Sequence, residues 1–232
     1  MGTSKGYIAP TRPEWSKAKR AISTYLRNRD PEARRNAISK YAEARHIGRK
    51  EDTTGSLAFS SAVRNVLYFA SAIANSGLDD TLSQFGLRDL MGMSPENVVH
   101  ELIEHFANHG STVEDSLALA ALSEAFEALE VETTDDLAKM NLDAFLLEVV
   151  IAFINNDFDF CFTEKIGKGR TPEETFEILK EVHAYIDGVL RNGLAPVDIK
   201  NIDFSKIASE KIVCDILDEA FSTCMNFHGV EE

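Results

Sequence analysis

Apolar residues recur every three or four positions along almost the whole chain, which is the spacing of an amphipathic α-helix. Proline and capping residues give the clearest start signals, as in Asp30-Pro31-Glu32, Ser94-Pro95-Glu96 and Thr171-Pro172-Glu173-Glu174. Gly77 and Gly110 follow two of the predicted ends. The pattern predicts helices over these ranges: Glu14–Asn28, Pro31 through Ala44, Leu57–Asn75, Asp79–Phe85, Pro95 to about His109, Val113–Val131, a short helix at Thr134-Asp135-Asp136, Asn141 to about Lys165, Pro172–Asn192, and Ser205 to about Met225.

Strand signals are missing from the sequence. No segment alternates Val, Ile and Thr with polar residues between hairpin turns, and no repeat of constant period is present. With 232 residues, 44% of them hydrophobic, the chain is long enough to bury a sizeable core. We therefore predict an all-α protein, a multi-helix bundle or an irregular helical array, with an extended N-terminal tail.

Charge divides the chain into two unequal parts. Residues 1–50 contain 13 Lys and Arg against 4 Asp and Glu, a net charge of +9. Residues 51–232 contain 11 against 34, a net charge of −23. This asymmetry predicts a tail (1–13), a basic helical arm (14–50) and an acidic helical body (51–232), with the polar segment His46–Gly55 as the linker.

The basic arm has the composition of a binding segment. Its cations, interleaved with aromatic residues, could contact phosphates and bases, an acidic protein surface, or the acidic body of the same chain. The residues singled out as contacts to a partner or to nucleic acid are Lys17, Arg20, Arg27, Arg34 and Arg35. No helix-turn-helix, zinc-finger or RNA-recognition signature accompanies them, so the three alternatives stay open.

Cysteine usage and hydropathy predict a cytoplasmic protein. Cys161, Cys214 and Cys224 are odd in number and form no metal-type pair, which is typical of a reducing compartment. The N-terminus has no apolar signal region, and the apolar stretches Leu57–Ala74 and Leu142–Phe162 are interrupted by polar or charged residues. We therefore expect no membrane partner.

The candidate chemical sites are weak. Glu101, His105 and His109 recur every four residues and would share one helix face, but they match no known zinc or di-metal template. The loop Gly167–Arg170 lacks the pattern of a phosphate loop, and the carboxylates of NNDFDFCFTE fit a solvated face as well as acid–base work. No nucleophile, base and acid can be assembled. The sequence predicts a protein that is not an enzyme and binds no cofactor or metal.

The first ten residues, MGTSKGYIAP, combine small, turn-forming residues with proline, and they precede a helical chain without a recognisable active site. This start resembles that of the QatB proteins of the Qat anti-phage defence system. The resemblance implies a non-enzymatic defence component that a QueC-like enzyme modifies. Gly2, freed by removal of Met1, would receive a covalent deazaguanine, and the tail residues Thr3, Ser4, Gly6 and Tyr7 would bind the enzyme as an extended peptide. The system's ATPase and its TatD-like nuclease would be further partners. A nucleic-acid-binding adaptor that uses the basic arm is the alternative.

Overall fold

The computed structural model describes residues 12–51, 55–195, 199 and 202–227, and this part of the chain contains helices and no strand. Its ten α-helices are α1 (Pro13–Asn28), α2 (Pro31–Glu51), α3 (Gly55–Ser76), α4 (Leu78–Phe85), α5 (Pro95–Phe106), α6 (Val113–Ala128), α7 (Thr134–Lys139), α8 (Leu142–Gly167), α9 (Pro172–Gly193) and α10 (Glu210–Asn226). Short 3₁₀ turns precede α5, α6 and α10. The all-α prediction is confirmed.

Local capping rules explain most helix starts. Thr112, Thr133 and Thr171 each accept a hydrogen bond from the backbone N–H three residues later, and an acidic side chain at that position bonds back. Asn141 caps α8 with its side-chain oxygen, which accepts from two backbone N–H groups. Proline stands at the first position of α1, α5 and α9.

Several predicted helix bounds are wrong; α6, for example, ends at Ala128 rather than Val131. The predicted linker His46–Gly55 is largely helical, because no proline or left-handed residue stops α2 before Glu51 and α3 already begins at Gly55. Helix α5 ends at Phe106, since Asn108 and His109 both take φ of 50°. Helix α10 begins at Glu210 rather than Ser205, whose hydroxyl and N–H both donate to the Asp203 carboxylate in a separate turn.

Helix α8 lies at the centre of the fold. It is buried on nearly all sides and packs against α6, α9 and α3, where the Phe59 and Phe153 rings approach to 4.2 Å. The segment Leu57–Ser76 of α3 is long and apolar enough, by length and composition, to cross a membrane. Half of that segment is buried against other helices of this fold.

Helices α1 and α2 form a hairpin that packs on this body. Arg29 ends α1 in the left-handed conformation, and its N–H donates to the carbonyl of Tyr25. Trp15, Ile38 and Tyr41 belong to the same buried cluster as residues of α8 and α10. The described part of the basic arm therefore shares one core with the body, although the division of the chain at residue 50 stays a prediction.

Candidate functional site

The predicted modification site lies outside the described residues. Gly2 and the tail residues Thr3, Ser4, Gly6 and Tyr7 all precede Arg12, where the description of the chain begins. The structure shows where this tail joins the folded part of the chain. That point is the first turn of α1.

Trp15 anchors the first turn of α1 in the core. Its side chain is buried, and its ring lies 6.2 Å from the ring of Phe162 in α8. The guanidinium of Arg45, from α2, lies over the indole of Trp15, 5.4 Å from the ring centroid. Contacts with two other helices therefore fix the start of α1.

A buried polar cluster lies beneath this anchor. Tyr41 and Arg45 are four residues apart on α2, so both face α8. The Tyr41 hydroxyl donates to Oδ2 of Asp157 at 2.6 Å, Nε of Arg45 donates to the same oxygen at 2.5 Å, and Nη2 of Arg45 donates to Oδ1. Asp157 is 2% exposed. Burial raises the pKa of the Tyr41 hydroxyl well above its usual value, so this hydroxyl stays a donor at neutral pH. The cluster attaches the hairpin to α8.

Sequence reasoning missed this cluster. The carboxylates of NNDFDFCFTE were predicted to form either a solvated face or an acid–base pair, and Asp157 does neither. Oδ1 of the nearby Asp159 accepts a hydrogen bond from Nε2 of His183 in α9 at 2.8 Å. One feature of the sequence could have indicated the cluster: an aspartate within a run of aromatic residues that is otherwise buried. A buried carboxylate needs a cationic or hydroxyl partner.

The arm's cations divide into two groups by their surroundings. Nη2 of Arg29 donates to Glu181 at 2.6 Å, and the guanidinium of Arg34 lies over the Tyr185 ring at 5.2 Å. With Arg45, these side chains face the body. Arg29 and Arg34 both lie against α9.

The remaining predicted contacts are exposed. Arg20, Arg27 and Arg35 are exposed, and the Lys17 side chain is 54% exposed with its ammonium 4.0 Å from Glu43. Nε of Arg27 donates to its neighbour Asn28 at 3.4 Å. Arg35 also lines an open cavity of about 470 Å³ between the α1–α2 turn and the end of α10. The structure thus brings Lys17, Arg20 and Arg27 together on α1 and places Arg34 on the inner side.

The metal candidates do not share a helix face. Glu101 and His105 lie on α5, whereas His109 follows the helix end in a left-handed conformation. Glu104, not Glu101, lies beside the imidazoles, 3.5 Å from His100 and 3.6 Å from His109. Among the described residues, no group of three or more His, Cys, Asp or Glu side chains could hold a metal ion.

The glycine-rich loop has a structural role. Arg170 donates to the carbonyl of Ile166 at 2.9 Å and to that of Leu26 at 3.4 Å, so its guanidinium bonds the C-terminal ends of α8 and α1. Gly169 takes φ of 77°, which favours glycine.

Cys161, Cys214 and Cys224 lie within the described residues and form no disulfide. Burial raises the pKa of the Cys224 thiol to about 12. Sγ of Cys214 lies 2.8 Å from the Ser60 hydroxyl, and Sγ of Cys161 lies 3.6 Å from Nη2 of Arg45.

Comparison with known proteins gives one family. Residues 48–224 match the model of the family described as Qat anti-phage system associated protein QatB. The match covers more than half of the chain and begins near the end of α2. No curated protein and no solved structure is significantly similar to the chain.

Proposed function

This chain belongs to the QatB family and is a component of the Qat anti-phage system, and we propose that it acts there as the presented substrate of a QueC-like partner enzyme. In this proposal Met1 is removed, and the amine of Gly2 receives a 7-deazaguanine group. The protein itself is not an enzyme, carries no cofactor and acts in the cytoplasm. The system's ATPase and TatD-like nuclease are its other partners.

The observation that carries the proposal is the anchoring of α1. Trp15 fixes the first turn of this helix against Phe162 and Arg45, and the tail sequence MGTSKGYIAP ends at Pro10, three residues before the helix begins. The ten residues from Gly2 to Thr11 reach at most about 35 Å when extended. Gly2 therefore lies no further than the length of this tail from a partner that binds the body near Trp15.

Three of the described carboxylates have structural partners, which favours a presented substrate over an enzyme. Asp115 and Asp136 complete capping boxes, and Asp157 pairs with Arg45 and Tyr41 inside the core. Each of these carboxylates stabilises a helix start or a helix contact. Reactivity is then expected at the chain terminus, where the partner enzyme supplies the chemistry.

The terminal amine suits the proposed reaction. An α-amino group has a pKa of about 7.7–8.0, so part of it is neutral and nucleophilic at cellular pH. Its nitrogen would attack the carbonyl carbon of an adenylated deazaguanine carboxylate, which the partner forms from ATP with release of pyrophosphate. The new C–N bond replaces the C–O bond to phosphate, AMP leaves, and the amine loses a proton to solvent or to a base of the partner. The product is an amide.

The test is the intact mass and the N-terminal peptide mass of the protein, expressed with its Qat partners and alone. We expect a deazaguanine-sized adduct on Gly2 only in the co-expressed sample. Gly2→Leu, which retains Met1, should carry no adduct. Gly2→Ala is the matched control, because its small side chain still permits removal of Met1. A bare Gly2 in both wild-type samples would refute the proposal, as would an unchanged adduct on Gly2→Leu.

A further inference from the structure

The outward face of α1 is positively charged and carries no large apolar side chain. Ser16, Arg20, Ser23 and Arg27 lie on successive turns of this face, and all four are exposed. Lys17 flanks them, with more than half of its side chain exposed. The sole acidic residue of α1 is Glu14, which lies away from Ser16 and Arg20 around the helix and one turn before Lys17. We call Lys17, Arg20 and Arg27, with the two serines, the α1 basic face.

On the opposite side of the hairpin, the cations contact side chains of the body. Arg29 pairs with Glu181, Arg34 stacks on Tyr185 and Arg45 pairs with buried Asp157. These contacts balance positive charges of the arm with groups of α8 and α9. Within the part of the chain that the structure describes, Lys17 has Glu43 of α2 at 4.0 Å, and no ion pair joins Arg20 or Arg27 to the body, whose net charge is −23. An acidic surface outside this chain is their natural complement.

The α1 basic face is also placed beside the tail. Its first residue, Ser16, lies one helical turn after Arg12, and Arg27 lies about 16 Å further along the axis. Since the tail reaches at most about 35 Å, a molecule bound to this face lies within range of Gly2. Binding at the face would raise the effective concentration of the tail at that molecule into the millimolar range.

We propose that the α1 basic face is the docking surface for an acidic patch on the enzyme that modifies the tail. The inference rests on the proposed function and adds a second contact to it, since the enzyme would hold the body at α1 while the tail enters its active site. Nucleic acid is the less suitable occupant. Three cations on one short face neutralise few phosphates, and the acidic body repels a long polyanion.

The test compares two charge-reversed proteins as substrates of the purified QueC-like enzyme. One carries Lys17→Glu, Arg20→Glu and Arg27→Glu. The matched control carries Lys139→Glu, Lys168→Glu and Lys180→Glu, which change the net charge equally at exposed positions outside α1. The rate of adduct formation is followed by intact mass with limiting enzyme, at low and at physiological salt. A peptide of residues 2–11 reports the tail alone.

We expect the α1 reversal to lower kcat/KM for the intact protein by about tenfold or more, towards the value of the peptide. The control should change it by less than about twofold, and salt should slow the wild-type reaction but not that of the peptide. Neutral Gln substitutions at the same three α1 positions should give an intermediate loss, and circular dichroism of each variant checks its fold.

Three results would overturn the inference. If the α1 reversal and the control react at the same rate as wild type, modification stands and the docking surface is wrong. If a single-stranded DNA probe binds wild type at physiological salt but not the α1 reversal, the face belongs to nucleic acid. If the wild-type protein is not modified at all, the proposed function fails and this inference fails with it.

Discussion

Asp157→Ala is the substitution that tests how the hairpin is attached to the body. The carboxylate accepts hydrogen bonds from Tyr41 and Arg45, both on α2, while Asp157 itself lies on α8. Alanine removes both oxygens and leaves a buried hydroxyl and a guanidinium without their main acceptor. The hairpin contact should therefore weaken while the helices themselves keep their capping residues.

The loss in free energy of unfolding caused by Asp157→Ala should lie at the lower end of the range for a broken buried ion pair. Removing one partner of such a pair typically costs about 3–5 kcal/mol. Here the Arg45 side chain is 28% exposed and can regain water, and the Tyr41 hydroxyl has the Ile154 carbonyl oxygen 3.2 Å away. We therefore expect about 3 kcal/mol for Asp157→Ala. Asp157→Asn keeps one acceptor oxygen but replaces the other with an NH2 donor that faces Tyr41 or Arg45, so it should cost nearly as much, about 2–3 kcal/mol.

The assay is urea unfolding at neutral pH, followed by far-ultraviolet circular dichroism, with the free energy taken from the midpoint and slope. Glu43→Ala is the control, because Glu43 pairs with Lys40 at 2.7 Å near the surface and should cost at most about 1 kcal/mol. The double variant Tyr41→Phe, Asp157→Asn should lose less than the sum of its single variants, since the two side chains share one bond. Equal midpoints for Asp157→Ala and Glu43→Ala would refute the attachment role of Asp157.

Three further predictions concern two glycines of α9 and Tyr25 of α1. Gly188→Ala should stabilise the protein by about 0.5–1 kcal/mol in the same assay, because a Cβ there meets nothing within 4 Å and alanine is the better helix former. Gly193→Ala should destabilise the protein by about 1 kcal/mol, since a Cβ there would stand 2.7 Å from Cγ2 of Thr223. If both glycine substitutions stabilise the protein, the packing of α9 on α10 is contradicted. Burial and the hydrogen bond to Glu181 raise the pKa of Tyr25 to about 12, so the folded state holds this proton more tightly than the unfolded state, whose tyrosine pKa is about 10. The resulting stability is present below about pH 10 and is lost between about pH 10 and 12. In Tyr25→Phe the urea midpoint should therefore fall less steeply with pH across that window. If the midpoint of Tyr25→Phe falls with pH as steeply as that of wild type, Tyr25 is not the group responsible.

The sequence predicted the helices well and the polar contacts between them poorly. Helix starts depend on residues three or four positions apart, so Thr171 with Glu174, or Asn141 before α8, could be recognised without the fold. The errors came where no strong stop signal was present, as at the end of α2. The tail sequence alone also gave the family, which the match over residues 48–224 confirmed from other residues.

Tertiary structure decided which charged residues are structural and which are exposed. Arg20 and Arg45 look alike in sequence, but the helix faces that pack together bring Arg45 to Asp157, 112 residues away, and leave Arg20 in solvent. Local patterns cannot fix such pairings, because ion pairs and buried hydrogen bonds depend on the relative placement of whole helices. The sequence by itself determined an all-α chain and a QatB-like start. Only packing around α8 determined that the arm joins the body and that the outer face of α1 stays charged.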